Sequence, residues 1–214
     1  MSLTAQRFPS RRRFLLSLGL VTQIAAAPKP PIVTVLGDSI TAGLGLAARD
    51  AVPAQLQAAL ARRGVSAIVR AAGVSGDTSG GGLARVGFSV ANDTRICVVA
   101  LGGNDLLQGA EPAQTKSNLR GILQRLKARG IGAVLVGIGA PSTIGAGYAR
   151  EFNAIYPSLA RDFSVPLYPN ILAGVGGVPA LMQRDGIHPN ASGARRIGEA
   201  LAPIVAGALR VRAA

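Results

Sequence analysis

The chain has 214 residues, with 23 Lys or Arg against 10 Asp or Glu, so its formal net charge is +13. One Cys and one His exclude an internal disulfide framework and a Cys/His zinc cluster, and no apolar run reaches the roughly 18 residues of a membrane span. The composition, 49% apolar and 15% charged, is typical of one packed globular domain.

The first 27 residues have the composition of an export signal. They contain no acidic residue, and a basic stretch at 10–13 precedes a short apolar run that ends in three alanines. This order predicts a secretory signal peptide over residues 1–27, removed after Ala27, and a folded domain over residues 28–214. The Ser-Arg-Arg-x-Phe-Leu string also resembles the twin-arginine export signal, whereas an ordinary signal peptide or a basic tail is the alternative. We expect a periplasmic or secreted protein.

Removal of this segment lowers the positive charge but does not abolish it. Arg7, Arg11, Arg12 and Arg13 leave with the signal, so 19 basic residues face 10 acidic ones, a net charge of +9. Such a charge favours transient contact with an anionic membrane surface or an anionic substrate. Nucleic acid is not an expected partner, because no basic helix is interleaved with aromatics and the chain has only eight Phe and Tyr.

From residue 30 onward, short apolar runs alternate with helical patterns. The predicted strands span residues 32–36, 65–69, 96–101, 133–138 and 165–168, and the predicted helices span residues 52–63, 83–91, 114–129, 148–163 and 191–212. Because the apolar runs are continuous, we expect strands that are buried on both faces. The pattern predicts an α/β fold, a doubly wound, flavodoxin-like sheet of five parallel strands with helices on both faces.

Ligands of such sheets bind at the carboxyl ends of the strands, where this chain has polar loops. Gly-rich loops over residues 37–45, 73–82 and 102–109 follow the first three strands, and residues 185–190 precede the last helix. Four loops at one edge of the sheet predict a functional site there.

Three side chains in these loops indicate nucleophilic catalysis. Ser39 lies at a strand-to-helix junction, where its hydroxyl can project into a cleft, but a serine needs a base to take its proton. His188, the only His, can serve as that base, and Asp185 three residues earlier can orient its ring. Acyl transfer also needs donors for an oxyanion, which the backbone N–H groups of Ser39 and Gly76 and the side-chain amide of Asn104 can supply.

The same residues fall in four blocks that resemble the signature blocks of the SGNH (GDSL-type) esterase/lipase superfamily. These blocks are Gly-Asp-Ser at 37–39, Gly76, Gly-x-Asn-Asp at 102–105 and Asp-x-x-His at 185–188. Longer strings, such as Asp-Gly-Ile-His-Pro-Asn at 185–190, are similar to the acyl-CoA thioesterase I, arylesterase and lysophospholipase subfamily.

The resemblance implies a monomeric serine hydrolase that needs no metal or cofactor and cleaves small acyl esters or thioesters. It implies Ser39 as nucleophile, Asp185 and His188 as its partners, and Ser39, Gly76 and Asn104 as the oxyanion hole. Carbohydrate deacetylation, acyl transfer and a binding module that has lost catalysis are the alternatives. The segment 171–182 is richer in Gly than expected for the family, which leaves the preferred acyl length open.

Several nearby residues have simpler interpretations. We expect Asp38 to support the Ser39 turn, and Asp77 and Asp105 to organise their loops. Cys97 lies in an apolar strand and should be a buried small side chain. Asn190 or Ser192 should cap the last helix. The glycines at 80–82 lack the Gly-Lys-Ser/Thr sequence that follows in a phosphate-binding loop.

Overall fold

A computed structural model describes residues 29–212, so the predicted signal segment lies outside the described residues. Its five strands form one parallel sheet in the order β2-β1-β3-β4-β5. The strands are β1 (Ile32–Gly37), β2 (Ile68–Gly73), β3 (Thr94–Ala100), β4 (Gly132–Val136) and β5 (Leu167–Tyr168). This is the flavodoxin-like order, which confirms the predicted fold.

Helices cover both faces of the sheet. They are α1 (Ser39–Ala42), α2 (Val52–Arg62), α3 (Ser79–Ser89), α4 (Gly103–Leu107), α5 (Pro112–Ala128), α6 (Ala146–Phe163) and α7 (Ala191–Val211). Helices α2 and α7 pack on one face, and α3, α5 and α6 pack on the other. Over residues 29–212, none of these helices is both long and apolar enough to cross a membrane.

Two apolar clusters form the core, one on each side of the sheet. Val33 and Val35 of β1 contribute to the cluster beneath α2 and α7, whereas Leu36 contributes to the cluster beneath α3, α5 and α6. Successive strand residues point to opposite faces, so a strand buried on both faces must be apolar at almost every position. Cys97 of β3 is fully buried in the second cluster, as predicted, and burial raises the pKa of its thiol to about 12.

The predicted start of the second strand is wrong. Residues 65–67 do not belong to β2, because Val65 completes the end of α2: its N–H donates to the Leu60 carbonyl (3.0 Å) and the Gly64 N–H donates to the Ala61 carbonyl (2.9 Å). Gly64 has a φ of +73°, and this pair of bonds is the Schellman arrangement of a helix end. The apolar character of Val65 therefore stabilises the helix end and does not mark a strand.

The predicted start of the third helix is also wrong. We expected a loop up to residue 82, but α3 begins at Ser79, so the three glycines lie in its first turn. The hydroxyl of Thr78 accepts the N–H of Gly81 (3.2 Å) and caps the helix. The short helices α1 and α4 were not predicted. Strand β2 ends at Gly73, four residues beyond its predicted end, and the remaining bounds agree to within two residues.

Candidate active site

The site lies at the carboxyl edge of the sheet, at the end of β1. Strand β1 lies between β2 on one side and β3 on the other. Strand β1 ends at Gly37, and Ser39 is the first residue of α1. Asp38 caps this helix, because its Oδ1 accepts the Ile40 N–H (3.1 Å). The Thr41 hydroxyl donates to the Asp38 carbonyl (3.0 Å) and secures the same turn. The predicted supporting role of Asp38 is thereby confirmed.

The loop before α7 brings His188 to Ser39. His188 Nε2 lies 2.9 Å from Ser39 Oγ, and His188 Nδ1 lies 2.7 Å from Asp185 Oδ2. The second carboxylate oxygen of Asp185 accepts the N–H groups of Ile187 (2.9 Å) and His188 (3.0 Å). The turn passes through Gly186 at a φ of +69°, a conformation that glycine adopts without strain.

Hydrogen bonding keeps Asp185 ionised. The backbone N–H of His188, the His188 ring and the N–H of Ile187 lower the pKa of Asp185 to about 2. An ionised carboxylate at Nδ1 favours the ring tautomer that carries its proton there. Nε2 is then the acceptor that faces the Ser39 hydroxyl, which is the arrangement a general base requires.

Hydrogen-bond donors lie in neighbouring loops at the same edge of the sheet. Gly76 has a φ of +81°, which only glycine adopts readily, and its side of the loop is open to solvent. Asn104 Nδ2 donates one of its two hydrogens to the Asp77 carbonyl (2.8 Å), so its amide is held beside the Gly76 loop with one hydrogen left. Within residues 29–212, the N–H groups of Ser39 and Gly76 have no acceptor and are available to a ligand.

A buried network holds the loop after β3. Asp105 is 4% exposed and accepts the Ser79 N–H (2.7 Å), the Ser79 hydroxyl (2.5 Å) and the Thr115 hydroxyl (3.2 Å). The bonds join the start of α3, helix α4 and helix α5 next to Asn104. The prediction that Asp105 organises its loop is confirmed.

Sequence reasoning missed one residue near the site, Arg85. Its guanidinium is buried at the strand ends and contacts Asp77 and two backbone carbonyls. A helix that starts at Ser79 places Gly82, Arg85 and Val86 on one buried face. The Gly-rich stretch at 80–82 predicts a loop, so the spacing of Gly82, Arg85 and Val86 on one helix face is not evident from the sequence.

Neither of the two surface cavities described next is lined by Ser39 or His188. A cavity of about 600 Å³ opens at the opposite edge of the sheet, among the carboxyl ends of α5, α6 and α7. A smaller hollow of about 380 Å³ adjoins the Asp185 loop and is lined by Gly177, Pro179, Met182, Gln183, Arg184 and Gly186. Over residues 29–212, no three His, Cys, Asp or Glu side chains lie together as a metal site would require.

Known proteins are similar to this chain in sequence and fold. The model of the GDSL-like Lipase/Acylhydrolase family matches residues 35–196. Esterase TesA of Pseudomonas aeruginosa is 42% identical over 189 residues, which cover 88% of this chain and 92% of the relative. Thioesterase 1/protease 1/lysophospholipase L1 of Escherichia coli K12 is 43% identical over 82% of each chain. A crystal structure of TesA aligns with a TM-score of 0.78 at 40% identity and covers 83% of this chain and 99% of that chain. This protein belongs to the GDSL-like lipase/acylhydrolase family and is an ester hydrolase of the SGNH type.

Proposed function

We propose that the protein hydrolyses acyl esters and thioesters through an acyl-enzyme formed on Ser39. The observation that carries this proposal is the continuous chain of hydrogen bonds from Ser39 Oγ through His188 to Asp185, with distances of 2.9 and 2.7 Å. The unused donors of Ser39, Gly76 and Asn104 support it, since they belong to loops at the same edge of the sheet as the serine hydroxyl.

In the first half of the reaction, Ser39 Oγ bonds to the acyl carbonyl carbon as its proton moves to His188 Nε2. The carbonyl oxygen becomes an oxyanion, which accepts hydrogen bonds from the N–H groups of Ser39 and Gly76 and from the Asn104 amide. The bond to the leaving alcohol or thiol then breaks, and His188 gives that group its proton. Asp185 stays ionised and stabilises the imidazolium throughout.

In the second half, water replaces the alcohol or thiol. His188 takes a proton from the water as its oxygen bonds to the acyl carbon, and the same donors hold the second oxyanion. The bond to Ser39 Oγ breaks, the serine recovers its proton from His188, and the carboxylic acid leaves. The chain's own side chains supply every proton transfer in this cycle.

The surface around the site supports an apolar acyl group in the substrate. Leu44, Val74, Leu107 and Ile187 lie in the four loops of the site and are 46%, 48%, 67% and 45% exposed. An exposed group of large apolar side chains favours contact with an apolar ligand. The hollow beside Asp185 involves the Gly-rich segment 171–182, so this segment can influence which acyl length fits.

An acyl-chain and leaving-group panel tests the proposal. It uses p-nitrophenyl esters from acetate to palmitate, an acyl-CoA, a lysophospholipid and an acetylated oligosaccharide, with Ser39→Ala and His188→Ala as controls. We expect turnover of esters and thioesters with medium or long acyl groups, and losses of several orders of magnitude in both variants without loss of folding. Activity on acetyl groups alone would contradict the substrate class and favour carbohydrate deacetylation.

We also propose that residues 1–27 direct export and that the mature protein is periplasmic or secreted. The basic head, the apolar middle and the alanines at 25–27 support this proposal. Expression of the full chain, followed by cell fractionation and N-terminal sequencing, should give an extracytoplasmic protein that begins at Pro28. Replacement of Arg11 and Arg12 by Lys should block export if the twin-arginine route is used. Full-length protein in the cytoplasm of cells that carry both export routes would contradict the proposal.

A further inference from the structure

Arg85 of α3 is a buried cation at the carboxyl edge of the sheet. It is 9% exposed, and its guanidinium makes three hydrogen bonds. Nε donates to Asp77 Oδ2 (2.7 Å), one terminal nitrogen donates to the Ala72 carbonyl (2.7 Å), and the other donates to the Gly37 carbonyl (2.9 Å). One planar group therefore joins the carboxyl end of β1, the carboxyl end of β2 and the loop that follows β2.

Two of these three partners, Gly37 and Asp77, lie within two residues of a donor that the reaction uses. Gly37 is followed by Asp38 and Ser39 at the end of β1. Asp77 directly follows Gly76, and its own carbonyl accepts the Asn104 amide (2.8 Å). The guanidinium thus links the backbone segments of Ser39 and Gly76 and, through Asp77, the side chain of Asn104.

The carboxylate of Asp77 has little freedom to move in this arrangement. It is paired with Arg85, and both side chains are about 10% exposed. It also lies against Gly81 at the start of α3, where any Cβ would collide with Asp77 Oδ1. The glycine at 81 and the fork of Arg85 therefore fix the Asp77 carboxylate from two sides.

A lysine could not reproduce these contacts. Arg presents five N–H donors in a fixed plane, so that it can bond to a carboxylate and to two carbonyls in different directions at once. A lysine ammonium carries the same charge on a flexible stem without that planar fork.

We propose that Arg85 is a positioning residue for the oxyanion hole. It holds the Gly76 loop against the ends of β1 and β2, so that the Gly76 N–H and the Asn104 amide are aligned before substrate binds. Preorganised donors stabilise the transition state more than the bound substrate, and small displacements of such groups can cost up to about 100-fold in rate. This inference rests on the proposed acyl-enzyme chemistry at Ser39.

The test compares Arg85→Gln with a matched control, Arg129→Gln. Arg129 also donates to carbonyls of the α3 region, those of Val86 and Val90, but at the far end of the helix. Active sites are first titrated with a fluorophosphonate, so that misfolded protein does not count. We expect Arg85→Gln to lower kcat per active site by about 10- to 100-fold with KM within about threefold, and Arg129→Gln to leave both near the parent values.

Two further measurements separate positioning from loss of stability. The affinity for a trifluoromethyl ketone, which forms a tetrahedral adduct, should fall in Arg85→Gln in parallel with kcat/KM. Combined with Asn104→Ala, Arg85→Gln should cost less than the product of the two single losses, because both act on the same donors. Arg85→Lys should lie between the parent and Arg85→Gln, and it serves as the test variant if Arg85→Gln does not fold.

Parental kcat per active site in Arg85→Gln, or in Arg85→Lys where only that variant folds, would overturn the inference. An equal loss in Arg129→Gln, or multiplicative losses with Asn104→Ala, would also overturn it. A parent protein that neither turns over esters nor reacts with the fluorophosphonate would instead overturn the proposed function, and the inference would fall with it.

Discussion

Asp38 and Asp185 both adjoin the pair formed by Ser39 and His188, yet their surroundings shift their pKa values in opposite directions. Burial raises the pKa of Asp38 to about 6, although the Ile40 N–H and the nearby His188 oppose the shift. Hydrogen bonds lower the pKa of the exposed Asp185 to about 2. Asp185 is therefore ionised beside the imidazole at neutral pH, whereas the pKa of Asp38 lies only slightly below neutral pH.

Replacement of Asp38 by Asn should stabilise the protein at neutral pH. The raised pKa means that the folded state binds more protons than the unfolded state between about pH 4 and 6, so stability falls as pH rises through this range. Above about pH 6, the ionised Asp38 lowers the free energy of unfolding by up to about 3 kcal/mol. Asn has no charge to desolvate and keeps an oxygen for the Ile40 N–H. Urea unfolding should give Asp38→Asn a higher free energy of unfolding than the parent protein at pH 8, and a smaller difference at pH 4. An equal difference at both pH values would contradict this explanation.

The decrease of kcat/KM at acid pH should reflect the uptake of a single proton. Because its pKa is about 2, Asp185 stays ionised down to about pH 3, so a loss of activity at higher pH reflects protonation of the general base and not of Asp185. A plot of log kcat/KM against pH should therefore fall with a slope of one. Asp185→Ala should retain more activity than His188→Ala, since it removes orientation but not the base. A slope of two that persists in Asp38→Asn would require protonation of Asp185 in this range and would contradict this assignment.

At the scale of elements, the ends of the helices hold the site together. Asp105 joins α3, α4 and α5 through the Ser79 and Thr115 hydroxyls and the Ser79 N–H. Tyr156 of α6 donates its hydroxyl to the Leu101 carbonyl (2.9 Å) at the end of β3. The Asn190 side chain accepts the N–H groups of Ser192 and Gly193 and caps α7 directly after the His188 loop, as predicted.

Removal of the Asp105 carboxylate should destabilise the protein strongly. Asp105→Ala leaves three buried donors without an acceptor, which costs about 2–4 kcal/mol in the free energy of unfolding. The matched control is Asp93→Ala, whose carboxylate pairs with Arg70 on the exposed surface and should leave stability nearly unchanged. Chemical denaturation of the three proteins checks this prediction. Equal effects of the two substitutions would show that the buried network does not stabilise the fold.

The common location of the proposed site residues could be predicted from the sequence, but the contacts that support them could not. Ser39, Gly76, Asn104, Asp185 and His188 fall in motifs that directly follow strand ends or precede a helix, so topology alone predicts one common edge. The role of Val65 in a helix end and the role of Arg85 beneath the loops depend on backbone conformation and tertiary contacts. Local apolar and polar patterns do not encode such contacts, because an arginine on a helix is usually exposed.

At the scale of the whole molecule, the positive charge suggests where the mature protein acts. We propose that the mature protein contacts anionic membrane surfaces transiently, supported by a net charge of +9 for residues 28–214. The protein should sediment with phosphatidylglycerol vesicles at low ionic strength and be released at about 0.5 M NaCl, where charges are screened within a few ångströms. It should not bind to phosphatidylcholine vesicles. Equal binding to both lipids would contradict an electrostatic origin.

Covalent acylation of Ser39 during turnover is the step on which the proposed function depends. The most direct measurement is intact mass spectrometry of the mature protein, quenched in acid within milliseconds of mixing with p-nitrophenyl butyrate, followed by peptide mapping. We predict a butyryl adduct on the peptide that contains Ser39, which decays as butyrate is released and is absent from Ser39→Ala. Full turnover with no adduct on Ser39, or an adduct on another residue that forms and decays at the rate of turnover, would contradict the account.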